Sequence, residues 1–136
     1  MNFLLSPEQQ RLQDELERIL SAVTGSRTLH ELIDGDAGFS REAWRSLAEF
    51  GALGACLPTE YGGLGLELID LALVAEAVGR RGAGVPLLGH SLCALAIAWG
   101  GDETQKARWL PALISGETIG SAAFSEGDNA WQPQEW

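Results

Sequence analysis

The chain has 136 residues, 46% of them apolar, with 19 Asp and Glu against 9 Lys and Arg, for a formal charge of −10. That length supports one domain with a substantial core, and the apolar content excludes a disordered chain. Nucleic-acid binding needs a surface that neutralises phosphates, and this balance has the opposite sign, so DNA and RNA are excluded as partners.

The opening "MNFLLSPEQQ" lacks the basic start and long apolar run of a signal peptide. Ser6-Pro7-Glu8-Gln9 reads as a helix start: Ser6 caps, Pro7 suits the first helical position, and Gln9 completes a capping box. Leu12, Leu16, Ile19, Leu20 and Val23 follow at helical spacing, which predicts an amphipathic helix ending near Thr24-Gly25. A short second helix is expected over 28–34, then a turn at 35–38. Ser40 caps a third, with Ala43, Trp44, Leu47 and Ala48 on one face and Gly51 closing it.

Residues 57–66, "LPTEYGGLGL", break the helical pattern with a proline and three glycines. Phosphate binding is one reading of a Gly-rich loop before a helix. The spacing opposes it: no third glycine completes a dinucleotide fingerprint, and no lysine follows as in a P-loop. A tight reversal between two helices is the better reading, with glycine supplying positive φ or close backbone approach.

Beyond the loop, Leu68, Leu71, Ala72, Ala75 and Val78 form a stripe, and Ile69, Leu73, Val74 and Ala77 carry the apolar surface most of the way round. Such a helix is expected to be buried. Residues 86–99 predict a similarly apolar helix, stopping at Gly100-Gly101. The apolar run 85–99 falls short of the roughly 20 residues a membrane span needs, so no span is expected. Asp102 to Gln105 resembles a second capping box, opening a helix with Trp109 and Leu110, and 111–114 add one more turn. From Glu117, "ETIGSAAFSE" changes to small, β-tolerant residues and reads as a strand whose partners lie elsewhere. The expected fold is all-α, about five to six helices with one C-terminal β-strand. The division is a helical domain at 1–116 and the start of a truncated β-domain at 117–136. Cys56 and Cys93 lack metal-ligand spacing and read as buried thiols in a reducing, cytoplasmic setting.

Trp44 leads into "EFGALGACLPTEYGGLGLELIDLALVAEAVGR" at 49–80, then His90, "GGDETQKARWLPALISGE" at 100–117 and "AAFSE" at 122–126. Motifs in this order resemble the N-terminal part of an acyl-CoA dehydrogenase. Residues 57–66 are similar to that family's proline-to-glycine loop, and 101–111 to its "G-x-x-x-Q-K-x-x-x-L-P" segment. The resemblance implies a longer enzyme, cut here at the start of its middle β-domain, with FAD between that domain and a C-terminal helical one. It implies an acyl-CoA substrate, oxidation to the α,β-enoyl thioester, an electron-transfer flavoprotein as acceptor, and a homo-oligomer or a heteromer with a related subunit.

The resemblance also assigns residues. Phe124, Ser125 and Glu126 match the "V-T-E" segment that contacts the flavin, and Ser125 keeps the hydroxyl. The family's continuing "P-G-A-G-S-D" is replaced here by residues 127–132, "GDNAWQ", which opposes FAD binding in the usual mode. This chain alone is therefore expected to bind no FAD and to hold no catalytic residue and no metal. Glu76 lies on the helix that would line the acyl pocket; its alternative is pairing with Arg80, four residues on. His90 has a pocket role as one reading and a hydrogen-bonded core histidine as the other. A non-catalytic subunit that fills out the pocket of a complete partner is the alternative function.

Overall fold

A computed structural model describes residues 4–123. They form six α-helices in chain order: α1 (Pro7–Val23), α2 (Ser26–Asp34), α3 (Arg41–Phe50), α4 (Leu68–Arg81), α5 (Leu87–Gly100) and α6 (Glu103–Ile114). Two single 3-10 turns, Ala52–Gly54 and Thr59–Tyr61, lie between α3 and α4. The all-α class expected from periodicity is the class observed.

The helix starts form as their side chains dictate. Ser6 Oγ accepts the Gln9 amide at 3.2 Å while Gln9 Oε1 accepts the Ser6 amide at 3.0 Å, so two amides orphaned at the start of α1 are satisfied together. Asp102 and Gln105 repeat the arrangement at α6, at 2.8 and 2.9 Å. Ser40 caps α3, and Gly51 ends it in the left-handed region at φ 87°.

Helix α1 packs on α3 and α4, and α5 packs on α6. The larger core joins Leu16 and Leu20 of α1 to Trp44 and Leu47 of α3 and Val74 and Ala77 of α4. A smaller core holds Leu57 with Ala94 and Leu95 of α5 and Leu110 and Leu113 of α6. A polar seam along α1 and α4 pairs Gln9 with Asp70, Gln13 with Glu76, and Glu17 with Arg81. These contacts fix the helix register more than they add stability, because exposed pairs contribute about 1 kcal/mol or less.

The loop after α3 is part of this packing. Its Leu57 is 2% exposed and belongs to the smaller core. The chain folds back on itself: amides of Leu64, Gly65 and Leu66 donate to the carbonyls of Gly54, Leu57 and Ala55 at 2.8 to 3.0 Å. Gly62 and Gly65 adopt φ of 95° and 62°, which L side chains resist. Gly63 serves closeness instead, since a Cβ there would stand 2.2 Å from the Leu57 carbonyl oxygen. The Tyr61 hydroxyl donates to Glu103 Oε2 at 2.6 Å, tying the loop to the first turn of α6. That hydrogen bond pushes the phenol up to about 12 and, with Lys106, holds the Glu103 carboxyl below its ordinary value.

Three expectations change. Residues 117–123 form no strand; the Thr118 amide donates to the Ala112 carbonyl at 3.0 Å and the Gly120 amide to His90 Nδ1 at 3.3 Å. Helical-domain acceptors thus take the hydrogen bonds that a neighbouring strand was expected to supply. The rest of the expected strand, 124–126, lies outside the described residues. Helix α4 is buried on one side only, at Leu73, Val74 and Ala77, while its stripe of Leu68, Ala72 and Ala75 is exposed. The turn expected at 111–114 is present and continues α6 without a break at Pro111. Burial of Leu110 and Leu113 on either side outweighs the roughly 3 kcal/mol that an internal proline costs. Finally, Cys56 and Cys93 are free but only half-buried.

Candidate functional site

Two helices that are apolar on more than one face leave surplus apolar surface after packing. Helix α4 spends one face on the larger core, and α5 divides its buried side chains between both cores. The remaining faces meet in an open groove of about 390 Å³, bounded by Leu68, Ala75 and Val78 of α4 and by Leu88, Leu92 and Leu95 of α5. Leu88 is 75% exposed at its rim. Every residue that bounds it is apolar except Ser91, so it can accept a hydrocarbon and has no charge to offer a polar headgroup.

A second cavity, about 540 Å³, opens beside Trp44 and mixes Arg41 and Arg45 with Glu49 and Glu117. Charges of both signs keep such a cleft hydrated, which opposes an apolar ligand. Among the described residues, no three His, Cys, Asp or Glu side chains are grouped to hold a metal ion. No helix among them is long and apolar enough to cross a membrane.

Neither Glu76 nor His90 bounds the groove. Glu76 is exposed, paired with Arg80 and accepting from Gln13 Nε2 at 3.2 Å. Its neighbour Ala75 bounds the groove, but one residue is about 100° of helical rotation, which carries Glu76 to the flank. His90 is fully buried. The Trp44 indole meets its ring edge-on, with centroids 4.8 Å apart, and Trp44 Nε1–H donates to the Gly116 carbonyl at 3.0 Å. Burial holds the imidazole below its ordinary value of 6.5, opposed in part by the Leu113 carbonyl. Phe124, Ser125 and Glu126 lie outside the described residues, four to six positions beyond Gly120.

The described residues that lead toward that segment carry no charged group from Thr118 to Ala123, and all but Ile119 are small. This is compatible with FAD beyond them, although it does not itself cradle the group.

Sequence reasoning missed the groove residues on α5, above all Leu88 and Leu92. The available signal was surplus: more apolar positions on α4 and α5 than a single-sided packing consumes. The stripe on α4 was visible but was assigned to the core.

The family profile described as "Acyl-CoA dehydrogenase, N-terminal domain" matches residues 6–117. Mitochondrial isovaleryl-CoA dehydrogenase of Bos taurus is 39% identical over 127 residues, covering 90% of this chain and 29% of that protein. The chain therefore spans less than a third of that relative. Among solved structures, the ChsE4-ChsE5 complex from Mycobacterium tuberculosis is similar at TM-score 0.85 and 28% identity, over 97% of this chain and 36% of that one. An acyl-CoA dehydrogenase complexed with FAD from Bacillus anthracis is similar at TM-score 0.79 and 31% identity, over 90% of this chain and 21% of that one.

Proposed function

The chain belongs to the acyl-CoA dehydrogenase family through its N-terminal domain, and from that premise we propose that it serves an FAD-dependent enzyme oxidising an acyl-CoA thioester to its α,β-enoyl form. The observation that carries this reading is the α4–α5 groove. A hydrocarbon tail needs an apolar wall, and burying it there gains about 0.8 kcal/mol per methylene.

The chain's own share is binding and exclusion of water. Its groove orients the acyl tail and keeps solvent from the thioester end, which strengthens every electrostatic interaction at the reacting carbons. None of the residues bounding the groove can take up a proton from the thioester's α-carbon, so the base is assigned to another part of the protein. FAD, when bound, supplies the hydride acceptor for the β-carbon. Phe124, Ser125 and Glu126 are proposed as this chain's contacts to it, with an electron-transfer flavoprotein as the next acceptor. A cytoplasmic homo-oligomer completes the proposal.

The second reading is a non-catalytic subunit of a heteromeric dehydrogenase. The departure of residues 127–132 from the family's pattern favours it, and the fold's likeness to a two-component complex is compatible with it.

A chimera tests the first reading. Residues 6–117 replace the matching domain of a relative such as the Bos taurus isovaleryl-CoA dehydrogenase. The expected result is a protein that holds FAD and whose flavin bleaches anaerobically with a saturated acyl-CoA. A folded, FAD-loaded chimera that bleaches with no acyl-CoA, from short straight chains to branched and ring-bearing ones, contradicts the proposal.

A further inference from the structure

Where the chain leaves α6, three hydrogen bonds among the described residues tie it back to the helical domain. The Gly116 carbonyl accepts from Trp44 Nε1–H at 3.0 Å, the Thr118 amide donates to Ala112 at 3.0 Å, and the Gly120 amide donates to His90 Nδ1 at 3.3 Å. Only the last involves a group that titrates near neutral pH. It fixes the tautomer: a nitrogen that accepts an amide proton must offer its lone pair, so Nε2 carries the hydrogen. Nε2 is buried without a partner in hydrogen-bond geometry. The site is therefore built for a neutral ring.

We propose that His90 is an acid-labile latch, whose neutral ring holds Gly120 and whose protonation releases the segment leading to residues 124–126. A proton on Nδ1 places N–H against N–H across the contact, and the pair must separate. Of the groups around the ring only the Leu113 carbonyl favours the new charge, and burial outweighs it. From α3 the ring meets Trp44, from α6 the Leu113 carbonyl, and from the exit segment the Gly120 amide. On α5 itself, Cys93 abuts Gly120, since a Cβ there would stand 2.6 Å from its Sγ. Arg41, Arg45, Glu49 and Glu117 bound the cavity beside Trp44, and none of them acts on the charge of His90.

The direction of the pH dependence follows from burial. The folded ring binds its proton less readily than an unfolded one, so the contact's contribution is complete above about pH 6.5 and is lost as pH falls below it. Exposed carboxylates such as Glu103 enter only below their ordinary 4.5, which separates the two windows. The latch stands on this chain alone. Its bearing on Phe124, Ser125 and Glu126 rests on the proposed function, which assigns those positions to the flavin.

The test uses the intact chain, labelled with nitrogen-15, with His30→Gln to remove the other imidazole. At about pH 7.5 the ring nitrogens should report the neutral Nε2–H form and the Gly120 amide should be protected. Between about pH 7 and pH 5 the Gly120 protection factor should fall at least about tenfold as His90 titrates. The amide of Val74, in the larger core, should keep its protection. His90→Asn places an amide oxygen near the position of Nδ1 and should hold Gly120 without pH dependence over this range. Gly120 protection that stays flat in the parent, a fall shared by Val74, or the same fall in His90→Asn each overturns the latch.

Discussion

Replacing Gly63 by alanine should cost at least about 3 kcal/mol, the largest effect of adding one methyl at any described glycine. The new Cβ would stand 2.2 Å from the Leu57 carbonyl oxygen and 2.5 Å from its carbonyl carbon. Both are backbone atoms, so no side-chain rotation relieves the clash. The carbonyl also accepts the Gly65 amide at 3.0 Å, and Leu57 itself is 2% exposed in the smaller core. Moving it loosens the loop and the packing of α5 on α6 together. Gly62 provides the contrast. Its φ is 95° but a Cβ would meet nothing within 4 Å, so Gly62→Ala carries only the left-handed backbone cost of about 1 kcal/mol. Urea midpoints at constant m separate the two. Equal losses at the two positions would show that the loop tolerates the methyl at Gly63.

Trp44→Ala should cost about 3–5 kcal/mol. The indole is 6% exposed and touches three things at once: the larger core, the His90 ring and the Gly116 carbonyl. Trp44→Phe divides the effect. It keeps most of the apolar volume but leaves the Gly116 carbonyl unpaired, for about 1–3 kcal/mol. Gly116 holds φ at 71°, and a Cβ there would lie 3.0 Å from Trp44 Nε1, so the indole and the bend were shaped around each other. Denaturant midpoints of the two variants check the division. If Trp44→Phe loses as much as Trp44→Ala, the hydrogen bond rather than packing dominates the site.

The helices were legible because local signals carried them. Ser6 with Gln9, Ser40, and Asp102 with Gln105 marked three starts, and each side chain makes the bond its type and spacing imply. The loop was legible as a reversal, but its reason was not uniform. Positive φ explains Gly62 and Gly65, whereas Gly63 answers to a carbonyl six residues back, which spacing does not reveal. Burial was the harder property. Periodicity shows that α4 is apolar on several faces, but which face meets α1 and which stays open depends on where the other helices lie. His90 shows the same limit: its helix was evident, but its acceptor role toward Gly120, 30 residues on, is a tertiary fact. The strand at 117–123 failed because Ala112 and His90 accept amides that composition alone assigned to a sheet.

If the α4–α5 groove walls an acyl chain, as proposed, one substitution at its rim should shift chain-length preference. Leu88→Trp adds bulk where the parent side chain is 75% exposed, so the isolated fold has little to lose. In the chimera, kcat/KM for a long-chain acyl-CoA should fall by at least about tenfold while that for butyryl-CoA changes by less than about twofold, as expected when added bulk obstructs apolar surface that the longer tail needs more. An equal loss for both substrates, or no loss for either, would contradict the claim.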